Sequence, residues 1–319
     1  MSQSVFLTGA TGFVGKAVLG RLVADNFAVT AAVRNGTPIR LADVTVVPFQ
    51  SFEGMNWGSS LIGIGAVVHC AARVHVMNDT EADPLASFRK VNVEGTLHLA
   101  RQAAAAGVKR FIYISSIKVN GEGTSPGRPY TADDRSGPSD PYGISKMEAE
   151  QGLRELAVLT GMEVVIIRPV LVYGPGVKAN FLSMMRWLDR GIPLPFGAIN
   201  NGRSLVAIDN LVDLIVTALT HPSAANQTFL ASDGEDLSTT QLLRRMANAL
   251  GKPARLLPIP SWMLSASAKT LGKKSLSQRL CGSLQVDISK NMKLLHWAPP
   301  VSVDDALKAT ALYYREHNK

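Results

Sequence analysis

Cysteine is scarce in this 319-residue chain: Cys70 and Cys281 are the only two. A disulfide framework is therefore not expected, and their wide separation gives no redox pair. The six histidines fall into no H-E-x-x-H spacing, so no metal site is expected either. Long hydrophobic runs are also missing. The most apolar stretches, Ala66–Cys70 and Val164–Ile167, are short and rich in β-branched residues, which reads as buried strand rather than membrane span. The chain enters Val5-Phe6-Leu7-Thr8 without a basic leader or an apolar signal region, so a cytoplasmic location is expected. Charged residues make up only 18%, yet the net charge is +8. The cations are mostly dispersed and no nucleic-acid-binding signature accompanies them, so phosphate-bearing small molecules suffice as partners and no nucleic acid is expected. The cluster Lys269, Lys273, Lys274 and Arg279 reads as a solvated or weakly membrane-attracted face.

What is present is a regular alternation. Strand patterns at 4–8, 28–33, 44–47, 66–70, 110–115 and 163–168 are separated by helical patterns at 13–25, 84–106 and 141–159. Strands joined by crossovers of this length predict an α/β fold: a doubly wound, Rossmann-type parallel sheet with helices on both faces. The crossover 34–66 is irregular. Beyond Arg168-Pro169 the texture changes to Gly, Pro and Asn around a helix at 180–190. A helix at 209–220, a strand at 227–231 and a helix at 238–250 follow, and 251–300 has no clean period. The expected division is a dinucleotide-binding domain over 1–168, completed by about 204–230. Residues 169–203 and about 231–319 would make a smaller C-terminal substrate-binding domain.

Gly9-Ala10-Thr11-Gly12-Phe13-Val14-Gly15 follows the first strand and opens the first helix. In that context Gly9 permits a tight turn, Gly12 lets the backbone approach a pyrophosphate, and Gly15 lets helix and sheet pack closely. Unpaired N–H groups at the helix start then face phosphate oxygens. Gly9, Thr11, Gly12, Phe13, Val14 and Gly15 are thus expected cofactor contacts. The second strand ends in Arg34 with no carboxylate to take the ribose hydroxyls. Arg34 suits a 2′-phosphate, so NADP(H) is favoured over NAD(H), which stays possible. Ala71 and Ala72, after the strand 66–70, are small enough to run beside the cofactor. His69 reads as part of the packed strand end.

Tyr142-Gly143-Ile144-Ser145-Lys146 sets Tyr and Lys four residues apart, on one face of a helix that Asp140-Pro141 would start. A tyrosine ionises near pH 10, and a nearby ammonium favours its phenolate. Tyr142 is then suited to exchange a proton with a carbinol oxygen, while Lys146 holds the nicotinamide ribose. Ser115-Ser116, at the end of the strand 110–115, supplies a hydroxyl partner. Ser116 is expected on the substrate oxygen and Ser115 on the cofactor or behind it. The expected catalytic set is Ser116, Tyr142 and Lys146.

Together these elements resemble the extended short-chain dehydrogenase/reductase family, also known as the NAD-dependent epimerase/dehydratase family, over essentially the whole chain. The glycine turn, Asn92 in Val91-Asn92-Val93-Glu94-Gly95-Thr96, Ser115-Ser116, Tyr142 with Lys146, Arg168-Pro169 and Val172-Tyr173-Gly174-Pro175 carry the likeness. The resemblance implies that Asn92 helps order the Ser–Tyr–Lys group and that the backbone near Pro169 borders the nicotinamide. It also implies a homodimer, although apolar helices alone fit an interior equally well. Asn92 as a local cap in the helical crossover is the plainer alternative.

A 4,6-dehydratase of the family needs an acidic pair after the catalytic hydroxyl, and here Ser116 is followed by Ile117-Lys118. Segments 71–77, 115–122 and 175–181 look more like bacterial UDP-sugar 4-ketoreductases that make UDP-N-acetylquinovosamine for O-antigen. The implied reaction is reduction of the C4 keto group of UDP-2-acetamido-2,6-dideoxy-4-hexulose. Asn180 and Arg203 would then meet the UDP and Arg279 the diphosphate, with His75 and Lys118 near the sugar. Asn180 as a helix cap, and Arg203 and Arg279 as solvated cations, remain open. A UDP-hexose or UDP-N-acetylhexosamine 4-epimerase with retained NAD would use the same residues. A non-catalytic dinucleotide sensor is the alternative outside enzymes.

Overall fold

The computed structural model describes all residues except 1–3, 35–42, 75–82, 126, 271–279 and 318–319. Ten strands are described: β1 (Ser4–Thr8), β2 (Ala28–Arg34), β3 (Val44–Phe49), β4 (Ala66–His69), β5 (Arg110–Ile114), β6 (Glu163–Pro169), β7 (Leu171–Tyr173), β8 (Arg203–Ala207), β9 (Thr228–Ala231) and β10 (Asp236–Leu237). Seven of them form one sheet in the order β3-β2-β1-β4-β5-β6-β9, and every neighbouring pair is parallel. This is the doubly wound sheet that the alternation predicts. Its central strands are buried on both faces, as the unbroken apolar runs Ala66–Val68 and Val164–Ile167 require.

Helices cover both faces. On one side α1 (Phe13–Ala24) packs beside a helix over Ile208–Thr220, here α7. The other side carries α2 (Gly58–Leu61), α3 (Pro84–Arg89), α4 (Thr96–Ala105) and α5 (Pro141–Thr160). A π-type turn, Lys90–Gly95, joins α3 to α4 inside what the pattern reads as one helix over 84–106. The irregular crossover 34–66 contains β3 and α2, and Phe49, Phe52 and Trp57 pack there as an aromatic cluster.

A second layer follows β6. Strands β10, β8 and β7 form a small sheet, antiparallel between β10 and β8 and parallel between β8 and β7. Around it stand α6 (Ala179–Asp189), α8 (Thr239–Ala249) and a C-terminal helix, Val303–His317, here α11. Two further helices, α9 (Ser261–Thr270) and α10 (Ser289–Leu295), lie in the stretch whose sequence shows no clean period. Among the described residues no helix is long and apolar enough to cross a membrane.

Arg110 ties the large sheet to α7. Its guanidinium donates to the carbonyls of Ala218 (2.8 Å), Leu219 (2.9 Å) and His221 (2.9 Å), and its Nη2 lies 2.6 Å from a Glu163 oxygen. Helix C-termini leave carbonyls without intrahelical partners, and this buried arginine satisfies two of them, on Ala218 and Leu219, along with the carbonyl of the cap residue His221. Replacing Arg110 by Met strands the Ala218 and Leu219 carbonyls, while His221 keeps its bond from the Ala224 N–H, and urea unfolding is expected to show a loss of about 2–4 kcal/mol.

Candidate active site

The strand order reverses between β1 and β4, so the crevice outside their C-terminal ends is where a doubly wound sheet binds a ligand. The glycine turn leaves β1 there. Gly9 has φ +72°, and a Cβ on it would lie 2.7 Å from the Ala71 nitrogen. A Cβ on Gly15 would lie 2.1 Å from the Gly9 oxygen. Both positions therefore demand glycine. Helix α1 starts at Gly12 with no side-chain cap and no acidic residue in its first turn. Its leading N–H groups face the crevice uncapped, which is the donor arrangement a pyrophosphate needs. Thr11 and Gly12 are exposed, Phe13 and Val14 half-buried, and Ala71 and Ala72 line the opposite strand end half-buried. The residues present fit a dinucleotide.

Asn92, on the π-type turn, is buried and clamps the chain beyond β4. Its Oδ1 accepts from the Arg73 N–H at 2.8 Å, and its Nδ2 donates to the Arg73 carbonyl (3.0 Å) and to Ser145 Oγ (3.0 Å). Ser145 in turn donates to the Tyr142 carbonyl at 2.8 Å. Asn92 thus joins the loop after β4 to the Tyr–Lys helix and is not a local cap. His69 is fully enclosed, bridging Thr8 Oγ1 (2.7 Å) and Thr96 Oγ1 (3.0 Å). Burial, helped by the Lys146 charge, pushes it down to about 3. It is a packed strand-end residue.

Helix α5 begins as the sequence suggests: Asp140 accepts from the Gly143 N–H at 2.6 Å and Pro141 fills the first turn. Tyr142, Lys146 and Glu150 follow one another at helical spacing on the face turned to β5. Lys146 is buried, donating from Nζ to the Ile114 carbonyl at 2.7 Å, and it lies 4.3 Å from the centre of the Tyr113 ring. Burial lowers its pKa to about 7 against the opposing pull of Glu150 and Cys70. Tyr142 packs edge-on against Phe88, 5.9 Å between centres.

Here one expectation is reversed. Burial first, then the Asp140 charge, pushes Tyr142 up to about 12, and the influence that lowers it is a hydrogen bond from Ser116. Lys146 is turned to Ile114 and Tyr113, so its charge is not what tunes the phenol. Ser116 is half-buried at the end of the β5 loop, where its Oγ accepts from the Lys118 N–H at 3.3 Å.

Ser115 faces the other way. It is buried and donates to Glu150 Oε1 at 2.6 Å. Glu150 also receives a bidentate pair from Arg168, with Nε to Oε1 at 2.9 Å and Nη2 to Oε2 at 2.6 Å, and Arg154 adds a contact at 2.9 Å. Arg168 Nη1 donates to Asn120 Oδ1 at 2.9 Å. Glu150 is a site residue the sequence reading missed. The available signal is its place four residues beyond Lys146, a carboxylate on the face that carries the buried Tyr and Lys. Pro169, next to Arg168, is buried at the end of β6.

The substrate-side residues are more scattered. Lys118 forms ion pairs with Asp140 and with Glu122 (3.1 Å), which steadies the start of α5 two residues before Tyr142. Asn180 is exposed in the first turn of α6. Lys178 is the cap residue there, so the capping alternative does not hold. Ala179 beside it has φ +54°, a strained value for a residue with a Cβ. Arg203 opens β8 and donates to the Gly282 carbonyl at 3.1 Å, a bond that holds it against the segment following Arg279. His75 and Arg279 lie outside the described residues. Arg34 is exposed at the end of β2.

Two outcomes follow from these environments. Glu150→Ala leaves Arg168 buried without its counter-charge, and denaturant unfolding should register a loss of roughly 3–5 kcal/mol. Lys146 and His69 both have folded pKa values below their unfolded ones, so the unfolded state binds more protons and stability rises with pH across each window. For Lys146 that window opens near pH 7. In protein without added dinucleotide the urea midpoint should climb between about pH 7 and pH 8; above about 8.5 Cys70, pushed up to about 12 by burial, opposes the climb because its thiol ionises first in the unfolded chain. Lys146→Met should flatten that climb.

The sequence profile of the NAD dependent epimerase/dehydratase family matches residues 5–231. A Vibrio cholerae protein named UDP-glucose 4-epimerase is 49% identical over 326 residues, covering 100% of this chain and 97% of that protein. Two solved structures share the fold. The Bordetella bronchiseptica enzyme WbmG in complex with NAD has TM-score 0.77 and 20% identity, covering 99% of this chain and 95% of that one. UDP-glucuronic acid 4-epimerase from Bacillus cereus in complex with NAD has TM-score 0.78 and 20% identity, covering 99% and 100%. Both dinucleotide complexes hold NAD, which overturns the preference for NADP(H). That preference rested on a missing carboxylate and on Arg34, an exposed side chain whose neighbours 35–42 lie outside the described residues. An exposed arginine at a strand end is no measure of a 2′-phosphate. The chain belongs to the NAD dependent epimerase/dehydratase family.

Proposed function

We propose that this chain is an enzyme that inverts C4 of a UDP-hexose or UDP-N-acetylhexosamine, with NAD retained between half-reactions. The observation that carries the reading is the 49% identity, end to end, with a protein named UDP-glucose 4-epimerase. It is joined to an intact Ser116–Tyr142–Lys146 group beside a glycine turn that fits a dinucleotide. In this reading the large sheet serves the cofactor, and residues 169–203 with those from about 231 onward serve the substrate.

The turn Gly9–Gly15 and the start of α1 hold the pyrophosphate, Ala71 and Ala72 leave room beside it, and Asn92 keeps the loop after β4 in register with α5. Lys146, already buried at the edge of the site, holds the ribose hydroxyls. Bound NAD supplies the acceptor and donor of hydride for C4. Tyr142 takes the proton from the C4 hydroxyl and returns it to the same oxygen once the sugar has turned and C4 has been reduced on its opposite face. Ser116 hydrogen-bonds the same oxygen and favours the phenolate of Tyr142. Inversion also requires the keto-sugar to turn within the site, held by its UDP end. Asn180 at α6, Arg203 at β8 and Arg279 are assigned to that grip, and Arg203 is supported by its contact with Gly282 beside the segment that carries Arg279.

A second reading rests on the sequence segments that look like 4-ketoreductases: one-way reduction of UDP-2-acetamido-2,6-dideoxy-4-hexulose to UDP-N-acetylquinovosamine. It uses the same residues but consumes reduced cofactor and releases the product of a single hydride transfer. One experiment separates the two. The purified protein is given UDP-glucose, UDP-galactose or their N-acetyl counterparts with no added cofactor, and in parallel the 4-keto-6-deoxy sugar with NADH. Interconversion without added cofactor supports the epimerase. Stoichiometric NADH consumption with the 4-keto sugar alone replaces it with the reductase. In either assay Tyr142→Phe is expected to lower turnover by about 10²–10⁴-fold while dinucleotide binding is retained. Full cellular activity in that variant would instead point to a sensor.

A further inference from the structure

The end of α6 and the segment leading into α9 adjoin, and both carry exposed apolar side chains with cations among them. Leu194 donates its N–H to the Arg255 carbonyl (2.9 Å), Leu257 to Leu194 (2.8 Å) and Gly197 to Leu257 (2.8 Å), so residues 192–198 and 255–260 run side by side. From these adjoining stretches Trp262 stands 70% exposed, Leu257 50%, Met263 44%, and Trp187 and Ile192 40% each. The interior of this lobe is already filled by Phe181, Met184, Met185 and Leu188 from the opposite face of α6, so the outward residues are surplus to the core. Large apolar side chains gathered on one face mark an interaction surface more often than scattered ones do.

Charge identifies the occupant. Within 186–194 and 252–263 the ionised residues are Arg186, Asp189, Arg190, Lys252 and Arg255: four cations and one carboxylate. Arg190, Lys252 and Arg255 are exposed, and Asp189 lies 3.5 Å from Lys252. Two copies meeting through this face would press like charges together. An anionic lipid surface meets both features: phosphates pair with the cations, and tryptophan settles at headgroup level with its ring in the apolar boundary. We infer that this face docks the protein reversibly on an anionic lipid bilayer through Trp262, Met263, Leu257 and the flanking cations. The inference is independent of which sugar the enzyme turns over.

The test is co-sedimentation of the full chain with vesicles of phosphatidylglycerol and phosphatidylcholine, against vesicles of phosphatidylcholine alone, with tryptophan emission read in parallel. Binding to the anionic vesicles that weakens with salt, together with a blue shift in emission, is expected. Trp262→Ser with Met263→Ser should abolish both signals. Arg190→Gln and Arg255→Gln should each weaken binding by about fivefold. All four positions are on the surface, so thermal midpoints matching the parent confirm that folding is intact. Wild-type protein that stays in the supernatant, or that pellets equally on neutral vesicles, overturns the proposal. So do variants that pellet like the parent, or a concentration-dependent dimer that Trp262→Ser dissolves.

Discussion

The ion pair between Glu150 and Arg168 is the contact on which the site depends. Both side chains are shielded from solvent, at 0% and 2% side-chain exposure, and both are fully engaged by neighbours. Glu150 lies one helical turn beyond Lys146 on α5, and Arg168 lies at the end of β6 beside Pro169. Ser115 joins the same carboxylate from the end of β5, and Asn120 joins the guanidinium from the loop beyond it. Three chain segments, α5, the end of β5 with its following loop, and the end of β6, are thereby brought to one point. Buried charges are costly unless each is met by a partner of good geometry, and that cost penalises any other packing of α5 on the sheet. The positions of Tyr142 and Lys146 are consequences of this lock.

Above the lock the chain builds two ionisable groups whose environments shift them in opposite directions. Burial pushes the phenol of Tyr142 up and the ammonium of Lys146 down, so both lean to their neutral forms. Asn92 reinforces the arrangement from the other side, since a single amide holds the backbone of Arg73 and the hydroxyl of Ser145. Such groups respond strongly to charge brought into the crevice, because little water is present to screen it. An isolated tyrosine–lysine spacing on a helix has none of these properties.

The smaller lobe is organised differently. Its sheet is short, and its long-range bonds run through loops: Asn201 and Arg203 reach the 280–284 segment, and Thr124 donates its N–H to Ser283. The loop after Ser116 therefore touches the same segment as Arg203. A substrate spanning the crevice would lie between walls that share one brace, while the outer face of the lobe, around Trp262, is left to other contacts.

How much was legible differs by element. The alternation of short β-branched strands and helices specifies the parallel sheet, because both faces of those strands must be covered. The glycine turn specifies its own backbone, since a Cβ at Gly9 or Gly15 would collide with neighbouring chain. The spacing of Tyr142 and Lys146, and the Asp140-Pro141 start, specify a shared helical face. These are local rules, and the residues by themselves determined them. Helices α9, α10 and α11 were not anticipated, because they follow a stretch rich in Pro and basic residues whose period is broken. The direction in which Ser115 points, the engagement of Lys118 with Asp140, the partnership of Glu150 with Arg168 and the upward shift of Tyr142 were decided only by tertiary structure. Each depends on which distant group is brought alongside and how far water is excluded, and neither quantity is a property of local sequence.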